Sequence, residues 1–131
     1  MLTMSDEEFE VLVEEGIAAI PEEFAHKVDN VAVVIEPAPT REQITKMKLR
    51  PGWTLFGLYE GIPLTKRGET YTFVAPDKIT IFRIPILEAA RDLLEAREML
   101  KDTVWHEFAH YFGMDEYEVR QREEGRGKSH S

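Results

Sequence analysis

Apolar and polar positions along the chain fall into a few periodic stretches separated by proline and glycine. Phe9, Leu12, Val13, Ile17 and Ile20 recur at helical spacing and define one apolar face. Ser5 followed three residues later by Glu8 is a capping box, and the acids crowding the first turn suit the positive end of a helix dipole. A helix is therefore predicted from Ser5 to Pro21, with room for a second short turn through Phe24. The β-branched run Val31-Ala32-Val33-Val34-Ile35, stopped by Pro37 and Pro39, predicts a strand buried on both faces. Thr40 to Leu49 has weaker helical periodicity and reads as a loop with at most a short helix. Thr54 to Glu60 alternates as a second strand, with Gly57 as a bulge or a point of close approach. Residues 61–68 read as loop and 69–76 as extended chain. Lys78 to Ile84 alternates cleanly and predicts a third strand, ended by Pro85, which suits the first turn of a following helix.

From Ile86 to Phe112 the pattern is helical, with a break expected between Asp92 and Ala96, because one 27-residue helix is long for so small a domain. Gly113 supplies the left-handed residue that ends it. Tyr117 to Arg122 suggests one last turn. The expected architecture is a single α+β domain over residues 1–124: an N-terminal helix, a small mixed sheet of about three strands, and a long C-terminal helix. Residues 125–131, rich in Gly, Ser and charge, read as a disordered tail.

On the last helix, His106 and His110 stand four residues apart, so their side chains leave one face about one turn from each other. Two imidazole nitrogens so placed can meet one ion at about 2.0–2.1 Å without distorting the helix. Glu107, turned about 100° around the axis, falls beside such an ion, positioned to take a proton from the water it carries. That is the mechanical reading of H-E-x-x-H as a zinc site with a general base. Leu100, Val104, Trp105, Phe108 and Phe112 occupy the opposite arc, so the helix turns one face to the core and the other to a cleft. A catalytic zinc site takes a third protein ligand, and the turn at Gly113 can bring Asp115 or Glu116 back toward the ion.

Composition narrows the chemistry. The chain has no Cys, which removes disulfides and thiolate ligands and leaves His and carboxylate to hold Zn²⁺. A net charge of −9 argues against nucleic acid, whose binding depends on Lys and Arg at phosphates. No apolar run approaches the roughly 18 residues of a membrane span. Met1 to Glu15 carries six acids and no Lys or Arg, unlike a secretory signal, so the cytoplasm is the expected location.

His106-Glu107-x-x-His110-x-x-Gly113-x-x-Glu116 resembles the extended zincin consensus, with an acid where metzincins place their third His. The chain as a whole resembles the small prokaryotic zincin-like metallopeptidases, a minimal zincin domain. Support extends to Leu55-Phe56-Gly57-Leu58-Tyr59-Glu60-Gly61-Ile62-Pro63-Leu64-Thr65 and to Ile79-x-Ile81-Phe82-Arg83-x-Pro85-Ile86-Leu87, so the resemblance covers roughly residues 5–120. It implies zinc held by His106, His110 and an acid, with Glu107 catalytic in cleaving a peptide or protein substrate. Consensus spacing selects Glu116 as the third ligand, with Asp115 its rival. The chain departs from metzincins in a second respect: no Met follows Met114, so the Met-turn that floors their sites is absent. The alternative reading is a non-catalytic protein, stabilised by zinc or binding a partner through a degenerate site.

Lesser candidates are weighed against plainer roles. Asp102, one turn before His106, either orients that imidazole or is a surface carboxylate. Tyr59 and Tyr111 either hydrogen-bond a developing oxyanion or pack as aromatics. Arg83 and Arg67 either bind a carboxylate or are structural, and His26 and His130 read as incidental.

Overall fold

The computed structural model describes residues 1–24, 31–47, 55–61 and 77–114. Helix α1 (Asp6–Ala18) begins at the Ser5–Glu8 capping box, with the Glu8 amide donating to Ser5 Oγ and the Ser5 amide donating to Glu8 Oε1, both at 3.1 Å. Strand β1 (Ala32–Glu36), helix α2 (Arg41–Lys46), strand β2 (Gly57–Glu60) and strand β3 (Lys78–Phe82) follow, then helices α3 (Arg83–Ala89) and α4 (Leu93–Phe112). The three strands form a mixed sheet in the order β1-β3-β2, with β1 parallel and β2 antiparallel to β3. The α+β architecture is therefore the expected one.

One face of this sheet rests on α4. Ile79 and Ile81 of β3 are fully buried, and they join Phe9, Leu12 and Val13 of α1 and Leu100, Val104, Trp105 and Phe108 of α4 in one core. The apolar stripe read from α1 packs across α4, and Gly16 allows the close crossing, since a Cβ there would lie 3.2 Å from Val104 Cγ2. Phe24, in a short 3₁₀ turn at 22–24, stacks on Phe112 with ring centroids 4.6 Å apart. No helix among the described residues is long and apolar enough to cross a membrane.

Four elements differ from the sequence reading. β1 is half-buried, with exposed ends, instead of buried on both faces; it is an edge of the described sheet, and a β-branched run serves an edge as well as a centre. The stretch after Thr40 is an ordered helix, nucleated by a second capping box in which the Gln43 amide donates to Thr40 Oγ1 at 3.0 Å. β2 spans only 57–60, and Thr54 lies outside the described residues. β3 ends at Phe82, and Arg83 and Ile84 open α3. Pro85 is accommodated because the first-turn amides of a helix have no intrahelical partner. The break before α4 falls at 90–92, where Asp92 caps the helix by accepting from the Glu95 amide at 2.8 Å. Arg91 forks onto Glu95 beside it, and that hydrogen bond holds the Glu95 carboxyl below the usual carboxylate range. The expected extended chain at 69–76, the turn at Tyr117–Arg122 and the 125–131 tail lie outside the described residues.

Candidate metal centre

Helix α4 supplies the site because its two faces are chemically distinct. Leu100, Val104, Trp105, Phe108, Ala109, Tyr111 and Phe112 are buried, whereas His106, Glu107 and His110 are half-buried on the side facing β2. The rings of His106 and His110 lie side by side with centroids 4.8 Å apart and planes at 77°. Two adjoining hollows of about 360 and 380 Å³ open over them, and His106 and Glu107 line both. Asp102 and Thr103 wall the first; Met47, Leu58, Tyr59 and His110 wall the second.

The helix stops just past the second His. Gly113 adopts φ 95°, its amide donates to the His110 carbonyl and the Met114 amide to the Ala109 carbonyl, both at 3.0 Å, which closes a Schellman motif. Asp115 and Glu116, the rival third ligands, lie outside the described residues, as do His26, Arg67 and His130. Among the described residues no group of three His, Asp or Glu side chains is gathered to hold a metal.

The donors that are described fit zinc. Both are imidazoles on one helix face, they face a cleft, and no thiolate is available in the chain to compete.

Glu107 is held by the sheet. The Tyr59 amide donates to Glu107 Oε1 at 2.8 Å, across 48 residues of sequence. The register shows why that amide is available. The Phe82 amide donates to the Phe56 carbonyl, so positions 56, 58 and 60 of this antiparallel ladder turn their backbone groups toward β3. Positions 57 and 59 therefore aim theirs off the edge of the described sheet, where the Tyr59 amide meets Glu107 of α4. Gly57 makes the approach possible: a Cβ there would sit 2.7 Å from Thr103 Cγ2 and 3.2 Å from Glu107 Cγ. The expected close approach at Gly57 is thus between strand and motif helix. Gly57→Ala is expected to push β2 off α4 at a cost of about 1–3 kcal/mol, read as a lower urea midpoint at unchanged slope.

Of the remaining candidates, Tyr111, Tyr59 and Arg83 make structural contacts. Tyr111 is fully buried, edge-on to Tyr59 at 5.8 Å and Phe108 at 6.5 Å, so it packs in the core. The Tyr59 hydroxyl donates to Asp77 Oδ1 at 2.7 Å instead of pointing at a reacting group. Arg83 lies 3.6 Å from Asp6 on the surface of α3. Asp102 reaches the wall of the hollow beside His106. Sequence reasoning missed the Tyr59 amide and Asp77; the nearest signal was the pair of glycines, Gly57 and Gly61, that bracket the strand.

No curated protein matches the chain at a significant level. A family model described as zincin-like metallopeptidase matches residues 28–126. That span runs from just before β1 to well past the motif helix and takes in the sheet as well as the histidines, so the chain belongs to the zincin-like metallopeptidase family, whose members have the character of zinc-dependent peptidases.

Proposed function

We propose that this protein is a zinc-dependent peptidase in which His106 and His110 hold the metal and Glu107 is the general base. The observation that carries the reading is the pairing of two adjacent imidazoles with a carboxylate that a backbone amide fixes at their side, over an open cleft. Zinc, when bound, polarises the scissile carbonyl and acidifies water in contact with it. Glu107 takes the proton from the attacking water and passes it to the departing amine. The bond from the Tyr59 amide to Oε1 sets the orientation of the carboxylate, so little rearrangement is required before proton transfer. Glu116 completes the ligand set by its consensus spacing, and Asp115 is the alternative. An extended peptide lies along the outer edge of β2, where the backbone groups at position 57 point away from β3. The acidic chain favours a peptide over a nucleic acid as partner.

The test is metal analysis of protein purified without an affinity tag. The wild-type chain should carry about one zinc, and His106→Ala should carry almost none. Equal, near-zero metal in both overturns the assignment.

A further inference from the structure

Asp77 and the hydroxyl of Tyr59 have no part in the reaction just described, yet both connect to Glu107 through one short strand. Asp77 sits immediately before β3 and is 5% exposed. Its backbone is fixed, because its carbonyl accepts from the Ala32 amide of β1 at 3.1 Å. Its side chain accepts the Tyr59 hydroxyl at 2.7 Å. The Tyr59 ring meets Tyr111, the residue after His110 on α4, and the Tyr59 amide donates to Glu107. Gly61 leaves space for this pairing: it has φ 153°, and a Cβ there would overlap Asp77 Oδ1 and lie 2.9 Å from the Tyr59 hydroxyl.

We propose that Asp77 and Tyr59 are positioning residues for Glu107: the part-buried Asp77–Tyr59 hydrogen bond fixes the place of β2 and so aims the Tyr59 amide at the Glu107 carboxylate. The proposal rests on the reading of Glu107 as general base. The physical need is clear from β2 itself. It has four residues and pairs with one described neighbour, so its own ladder supplies few hydrogen bonds, and short edge segments are the first to open. An anchor at its third residue holds the donor that orients the carboxylate. Precision matters here, since a displacement of about 1 Å can cost on the order of a hundredfold in rate. If the Asp77–Tyr59 bond merely secured the turn after β2, loosening it would leave the Tyr59 amide protected by Glu107.

Amide hydrogen exchange on the metal-free full chain separates the two cases. Glu107→Ala should expose the Tyr59 amide and serves as the reference. Tyr59→Phe and Asp77→Ala should each speed exchange of that amide about five- to tenfold relative to Ile79 and Ile81 in the central strand, the factor one hydrogen bond is worth. Asp77→Asn, which keeps an acceptor oxygen, should stay close to wild type. A Tyr59 amide that is unchanged in Tyr59→Phe, or that speeds up only as much as Ile79 and Ile81, overturns the proposal. The readout needs neither zinc nor turnover. A chain that binds no zinc would therefore end the peptidase reading without altering the exchange pattern.

Discussion

Glu107→Gln is expected to lower peptide cleavage by about 10²–10⁴-fold, the usual contribution of a positioned general base, while leaving zinc content at the wild-type level. The substitution is close to isosteric, and the amide oxygen of Gln can still accept from the Tyr59 amide that holds Oε1 at 2.8 Å. The fold should therefore lose no more than about 1 kcal/mol, the scale of one altered hydrogen bond. What disappears is the ability to take up a proton. Cleavage of a fluorogenic peptide library, with metal content measured on the same samples, gives both quantities. Cleavage in the variant within a factor of two of wild type would remove Glu107 from the chemistry. A wild-type chain that holds zinc and cleaves nothing in the library would favour the non-catalytic reading, in which zinc or a partner is bound for stability.

The largest stability effect is expected at Phe108→Ala, about 3–5 kcal/mol. Phe108 is fully buried one residue after Glu107, with its ring centroid 6.5 Å from that of Tyr111 and 6.0 Å from that of Phe112. Truncation removes apolar area and leaves a void among rings that cannot close over it. A domain of this size has about 5–15 kcal/mol in total, so the variant should sit near the edge of folding. In urea the midpoint should fall by about 1–3 M with the slope unchanged. Leu94→Ala is the control: it lies on the same helix but is 66% exposed, and it should stay within about 0.5 kcal/mol of wild type. Equal losses in the two variants would mean that the apolar face of α4 is not the core.

How much of this was legible in the sequence depended on whether the signal was local. The Ser5–Glu8 box, the apolar arc of α4 and the Gly113 stop are each written within one or two turns, and each stands in the structure as the pattern implies. Thr40–Gln43 has the same local grammar but heads a six-residue helix with no buried face, so periodicity gave it only weak support. Val33, Val34 and Ile35 could not reveal that β1 lies at an edge of the described sheet, because neighbour identity is a property of the sheet and not of the strand. His106, Glu107 and His110 were visible as a spacing on one helix. The contact that orients Glu107 was not, since the Tyr59 amide and the carboxylate are 48 residues apart and meet only through the register of β2 on β3. Asp77 carried no mark at all: one acid among 25 becomes notable only when it is found buried against a tyrosine hydroxyl.

That 48-residue separation has a consequence for biosynthesis. At about 5–20 residues per second, a ribosome that has just polymerised Tyr59 needs several seconds more to reach Glu107. β2 therefore leaves the ribosome before the helix it will lie against, and its backbone groups face water and other nascent chains until that helix follows. Four residues, beginning with a glycine and ending with a glutamate, offer a poor template for stray strand pairing. The brevity that makes this edge dependent on an anchor in the finished protein also protects the chain while it is still being made.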